Sequence, residues 1–204
     1  MTKMFVVFGF IVAVVGFSVY MIHGVKAMNK RILFILMPKG YQDIEFNTPY
    51  KMLVDNGCTV DVAGLDDGTA QGALGGSFTP NKLLSVMTDA DIAAYDALVI
   101  PGGPGSIDYL WNNAKLNQTI KTFYNAKKIV ASICHATAAV AKTGILNGKK
   151  ATGFPSTELK KVFNQEGVDF VDQGCFVDKS ENIITAQSPK FAKEFGQAII
   201  NMLE

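Results

Sequence analysis

Histidine is scarce here: the 204 residues hold two, His23 and His135. Cysteine is hardly commoner, with Cys58, Cys134 and Cys175 far apart. Neither the number nor the spacing makes a zinc site, which takes about four Cys or His ligands grouped in close pairs. An odd set of scattered cysteines also speaks against a disulfide framework, and for free thiols in a reducing compartment. Excess charge of one sign is lacking too. Lys and Arg (19) nearly balance Asp and Glu (18), and no basic stripe stands out. Nucleic acid is therefore not an expected partner. No internal repeat is present.

What the chain has is apolar surface. Hydrophobic residues make up 49% of it, enough for one globular domain with a sizeable core. Residues 4–22, MFVVFGFIVAVVGFSVYMI, contain no charge. As a helix that run would span about 28 Å, close to the hydrocarbon thickness of a bilayer. Three readings stay open for residues 1–27. They form a membrane anchor, or a secretory signal cleaved near Val25-Lys26-Ala27, or a stretch preceding a true start at Met28. Lys26, Lys30 and Arg31 outweigh Lys3, which favours a membrane-associated protein with its domain in the cytoplasm. A start at Met28 would instead make the protein cytoplasmic and unanchored.

From residue 28 onward, short apolar runs alternate with helical patterns. RILFILM, CTVDVAGL, DALVI and KKIVASI read as strands, the apolar ones covered on both faces. Pro49 suits the first turn of a helix capped by Asn47 or Thr48 and ending near Gly57. DDGTAQGALGG reads as a turn-rich hairpin, and Thr88 as the cap of an acidic helix start. Residues 113–126, 156–166 and 191–203 read as helices, with a helix opening at Cys134 and ending at Gly144. The pattern predicts a mostly parallel sheet covered on both faces, in which reactive groups gather at the carboxyl ends of strands.

Three loops qualify, holding Glu45, the Gly102-Gly103 turn and Cys134. Cys134 lies between a strand end and a helix start, where unpaired N–H groups and the helix dipole favour thiolate. The plain alternative is a buried structural cysteine. His135 could take the thiol proton if a third group held its ring, and Asp108, just past the Gly102-Gly103 turn, is the candidate, from this or a second subunit. Glu45 is either an ordinary exposed acid or a buried carboxyl whose raised pKa keeps it protonated beside the sulfur. The N–H groups of Gly103 and His135 could meet a developing oxyanion, or the PGG sequence could be a plain turn. No histidine follows His135. That excludes nucleophile sites whose histidine lies well downstream, as in glutamine amidotransferases, α/β-hydrolases and papain-like proteases.

The stretches KRILFILMPKGYQDIEFNTPYKMLVDNGCTVDVAGL, LVIPGGPGS, ASICHATAAVAKTGILNGKKATGFPS and NIITAQSPKFAKEFGQAII together resemble the DJ-1/PfpI (ThiJ/PfpI) superfamily, over residues 30–204. The resemblance implies a flavodoxin-like three-layer α/β sandwich of glutamine amidotransferase-like fold, preceded here by one hydrophobic helix. It implies a homodimer or larger assembly, a reactive Cys134, a proton-sharing Glu45 and an oxyanion site at Gly102, Gly103 and His135. It implies no cofactor and no metal. Cys followed by His is similar to the PfpI peptidase and stress branch, whose histidine is oriented by an acid from a neighbouring subunit. Asp108 stands about one position from that acid. Gln187 and Lys190 replace an arginine and glycines common in the family. The expected activity is glyoxalase III or deglycase chemistry on methylglyoxal or early glycation adducts. The alternatives are an intracellular cysteine peptidase and a redox sensor or chaperone that works by oxidation of Cys134.

Overall fold

The computed structural model describes residues 28–204. The chain begins with β1 (Arg31–Leu36), β2 (Lys39–Tyr41), α1 (Asp43–Asp55), β3 (Thr59–Gly64), β4 (Ala70–Gly72), β5 (Ser77–Phe78) and β6 (Lys82–Leu83). It continues through α2 (Asp89–Ala93), β7 (Ala97–Ile100), α3 (Ser106–Tyr109), α4 (Ala114–Asn125), β8 (Ile129–Ile133) and α5 (Ala136–Ala141). It ends with β9 (Lys150–Ala151), α6 (Thr157–Gln165), β10 (Asp169–Phe170), β11 (Cys175–Asp178), β12 (Ile183–Ala186) and α7 (Ala192–Leu203).

The main sheet has the order β11-β12-β8-β7-β1-β3-β6. All its pairs are parallel except β11 against β12. Ile32–Leu36, Ala97–Ile100 and Ile129–Ile133 are buried along their whole length, as strands covered on both faces must be. After β1 the chain moves outward to β3, then returns to lay β7 on the other side of β1. Right-handed crossovers in opposite directions place their helices on opposite faces. So α1 and α7 pack together on one side, while α2 and α4 pack together on the other. This is the expected flavodoxin-like α/β sandwich, and its switch point lies between β1 and β7.

The first helix departs from expectation. It starts at Asp43, not near Pro49, because Gln42 caps it: the Gln42 side chain accepts the Ile44 N–H at 2.7 Å. The Gln42 N–H in turn donates to the Gly102 carbonyl at 2.8 Å, tying the helix start to the turn after β7. Pro49 sits inside the helix on its buried face and lies against Gly196 of α7. The early start places Glu45 in the first turn. A small second sheet, β2-β4-β5, covers this end of the molecule. Asp43 pins its hairpin by accepting the N–H groups of Leu74 and Gly76, both at 2.8 Å.

Thr88 caps α2 with a reciprocal bond to Asp91, and Asn113 and Ser156 cap α4 and α6. All three cysteines are free. The membrane-associated location expected from residues 4–22 is corrected. Among the described residues no helix is long and apolar enough to cross a membrane. The longest, α1, has 13 residues; such a helix reaches about 20 Å, short of the roughly 30 Å hydrocarbon core. Residues 4–22, with the leading helix expected there, lie outside the described residues.

Candidate active site

Three segments meet at the carboxyl ends of β1, β7 and β8. Cys134 follows β8 directly and adopts φ 62°, the left-handed region that costs a non-glycine residue about 1–2 kcal/mol. The elbow is fastened on each side. The Cys134 N–H donates to the Ala186 carbonyl of β12 at 2.8 Å, and the Trp111 indole N–H donates to the His135 carbonyl at 2.8 Å. The cysteine is 5% exposed, so its sulfur is held above the sheet with little freedom.

Glu45 comes to it from α1 and is fully buried. Its Oε2 accepts the Gly102 N–H at 3.0 Å, whereas Oε1 has no hydrogen-bond partner. The glycines of the turn make this approach possible. A Cβ on Gly102 would sit 2.6 Å from the Ile133 carbonyl oxygen, 2.7 Å from Cys134 Cβ and 2.9 Å from Glu45 Oε2. Gly103 has φ 128°, and a Cβ there would strike the Gly40 carbonyl oxygen at 2.3 Å. The backbone N–H groups of Gly103 and His135 both bear on the Cys134 sulfur.

Burial pushes the Glu45 carboxyl up to about 8, although bonds from Cys134 and Gly102 favour its charged form. The Cys134 thiol is also pushed up, first by burial and then by the Glu45 charge, against the pull of the His135 and Gly103 N–H groups. The helix start by itself therefore does not give a lowered thiol pKa, contrary to the sequence-based expectation. α5 has only six residues, and the sulfur sits in a pocket too dry for two anions. The two acids titrate as a coupled pair.

His135 turns its Nδ1 to the sulfur at 3.6 Å. Its Nε2 lies 3.2 Å from Ser156 Oγ, and its ring stacks on Phe154 at 4.8 Å between centroids. Burial lowers its pKa, so the ring is neutral near pH 7, while Glu158 pulls the other way. Glu45, Gly102, Gly103, Cys134 and His135 are thus brought together. Asp108 is not among them. It lies on α3 and lines a separate surface cavity with Pro38, Asp66 and Asn112. Residue patterns did not reveal Ser156 and Phe154. Ser156 was readable as a helix start, but only the fold brings its hydroxyl to the imidazole. Among the described residues no cluster of three or more His, Cys, Asp or Glu could hold a metal.

Comparisons with known proteins show what the chain is similar to. A protein of Methanocaldococcus jannaschii named only as uncharacterized is 39% identical over 86% of this chain and 83% of its own length. A deglycase of Pyrococcus abyssi is 32% identical over 72% of this chain and 84% of its own. The protein YraA of Bacillus subtilis, named provisionally as a cysteine protease, is 30% identical over 87% of this chain and its full length. A ThiJ/PfpI domain structure from Brachyspira murdochii superposes with a TM-score of 0.78 at 27% identity, covering 86% of this chain and 96% of that one. The DJ-1/PfpI family model matches residues 30–202, the stretch that builds the sheet, the elbow and the acid beside it, and the chain belongs to that family.

Proposed function

We propose that this chain is a cysteine-dependent enzyme of glyoxalase III or deglycase type, acting on methylglyoxal or early glycation adducts. The observation that carries the reading is the Glu45 carboxyl, fully buried beside the Cys134 thiol with one of its oxygens unpartnered. A carboxyl poised to take and return a proton is what an internal redox isomerisation of a dicarbonyl requires. The Pyrococcus abyssi deglycase supports the substrate class.

The steps balance without a cofactor. The Cys134 thiolate adds to the aldehyde carbon of methylglyoxal, forming the C–S bond, and the proton of Glu45 passes to the new alkoxide. The N–H groups of Gly103 and His135 stabilise that oxygen as charge develops. Glu45, now a carboxylate, removes the C1 hydrogen and returns it to C2, while the C1 hydroxyl proton passes to the C2 oxygen, giving a lactoyl thioester on Cys134. Water adds to the thioester carbonyl and the thiol leaves, releasing lactate. On an early glycation adduct, an aminocarbinol, the C–N bond breaks first: the amine leaves protonated as the carbinol oxygen gives up its proton and becomes the aldehyde carbonyl, and the thiolate then adds to that carbon as before.

The test is proton NMR of methylglyoxal incubated with the full chain and with Cys134→Ala. Lactate should form with the wild type and fall at least a hundredfold in the variant. Equal lactate from both would sink the reading.

A peptidase is the second reading. The His135 Nδ1 at 3.6 Å from the sulfur is a nucleophile–base pair, and YraA carries a protease name. In that reading Asp108 would reach His135 from a neighbouring subunit, as assembly of a dimer or larger oligomer would allow. Release of peptides from casein, lost in Cys134→Ala, would favour it over the dicarbonyl reading.

A further inference from the structure

The two N–H groups that meet the oxyanion stand on different segments, Gly103 on the turn after β7 and His135 on the elbow after β8. Among the described residues neither reaches an oxygen acceptor, although Gly103 is buried. A buried backbone N–H without such a partner is rare. Two of them beside one thiol suit an oxygen that gains charge only during reaction, provided that their spacing is kept. The sheet does not keep it. The ladder between β7 and β8 ends with Ile100 opposite Ser132, short of both donors. Another link spans the gap. The Gly103 carbonyl accepts the Ser106 N–H at 3.1 Å, and the Ser106 carbonyl accepts the Trp111 N–H at 3.2 Å. The Trp111 indole then donates to the His135 carbonyl at 2.8 Å. An indole N–H only donates, so the direction of this bond is fixed. Trp111 is buried, and it holds the turn's segment through its backbone and the elbow through its side chain.

We propose that Trp111 is a positioning residue that sets the gap between the Gly103 and His135 N–H groups, so that the pair fits the oxyanion formed when Cys134 attacks a carbonyl carbon. The peptide that carries the His135 N–H is held from both ends. Before it, the Cys134 N–H donates to the Ala186 carbonyl at 2.8 Å; after it, the His135 carbonyl is held by the indole. With the indole bond gone, the second anchor is lost and the His135 N–H is free to drift from Gly103. A reaction at a carbonyl then loses stabilisation of its oxyanion. A reaction of the same sulfur at a saturated carbon, which forms no oxyanion, is unaffected.

The assignment rests on the reading of Cys134 as a nucleophile, and its test is independent of methylglyoxal turnover. The full chain is treated with two reagents. With p-nitrophenyl acetate the thiolate adds to the ester carbonyl, the oxyanion collapses, the C–O bond breaks and p-nitrophenolate leaves as a coloured burst. With iodoacetamide the thiolate displaces iodide directly, and mass spectrometry follows the Cys134 peptide. Trp111→Phe keeps an aromatic ring and loses the N–H. It should acetylate about tenfold more slowly, while its alkylation stays within about twofold of wild type. Trp111 is the one tryptophan, so growth on the benzothiophene analogue of tryptophan, which keeps the bicyclic shape and lacks the N–H, replaces it alone. The same split is expected there. Alkylation of buried Cys58 shows whether a variant has lost its fold. Equal slowing with both reagents in the folded analogue protein would mean that the indole merely supports the thiol, and no slowing with either would mean that the gap is set elsewhere; each overturns the proposal. So does a wild type that alkylates at Cys134 but does not acetylate, since the donor pair then stabilises no oxyanion. Absence of lactate alongside the expected split would sink the glyoxalase-type reading and leave this assignment standing.

Discussion

At the scale of single residues, the site is a contest between burial and hydrogen bonding at two neighbouring acids. Glu45 shows what wins. Its carboxyl is raised from 4.5 to about 8 because the dry surroundings outweigh the bonds that favour its charge. The folded protein therefore keeps a proton that the unfolded chain loses above about pH 4.5. Between those limits the native state binds more protons, so stability falls as pH rises through the window. Each pH unit is worth about 1.4 kcal/mol well below pH 8 and half that at pH 8, so unfolding free energy should drop by roughly 2 kcal/mol from pH 6 to pH 8 on account of this group. Urea unfolding at the two pH values would show it, and Glu45→Gln should remove most of the slope while abolishing lactate formation. An unchanged slope in the variant would mean Glu45 is ionised in the native state. Gly102 shows the steric counterpart. A methyl there collides with the Ile133 carbonyl oxygen, Cys134 and Glu45 at once, so Gly102→Ala should cost activity at least tenfold, measured as turnover per folded molecule.

At the scale of elements, α1 matters most, because its first turn delivers Glu45. Its position is set from both ends, by Gln42 bonding to the Gly102 carbonyl and by Gly196 of α7 admitting Pro49 and Met52. A Cβ on Gly196 would stand 2.8 Å from Met52 Sδ and 3.2 Å from Pro49 Cα. Gly196→Leu should thus push the helices apart, with a loss of about 1–3 kcal/mol in unfolding free energy and a parallel fall in turnover. Element boundaries also show how far the sequence could be read. β1, β7 and β8 were legible because continuous apolar runs carry their own signal, and α2, α4 and α6 because Thr88, Asn113 and Ser156 are strong caps. The start of α1 was not legible. Pro49 is a strong local cue for a helix start, but Gln42 becomes a cap only once the turn after β7 is beside it, a contact 60 residues away in sequence. Cys134, Glu45 and the glycine turn were readable from position along the chain. Their protonation was not, since it depends on how much water the folded pocket admits, and neither was the link from His135 to Ser156.

At the scale of the whole molecule, the sheet order turns three distant loops into one site by reversing direction between β1 and β7. The arrangement holds only if the sheet stays covered. Helix α7 buries Phe195, Ile199, Ile200 and Leu203 against α1 and the strands. Each such side chain contributes about 1.5–3 kcal/mol, so together they rival the 5–15 kcal/mol that holds a typical domain folded. A chain ending at residue 189 should show no cooperative unfolding transition by circular dichroism. The core also ends in an unusual fixture. The protein has one tryptophan, and its indole is bonded to the backbone of the residue next to Cys134. Ultraviolet emission from this molecule therefore comes, as far as tryptophan is concerned, from a single lamp mounted on the elbow. Any adduct that strains or relaxes the elbow will change its brightness or colour, so covalent chemistry at Cys134 can be watched in real time with no label attached.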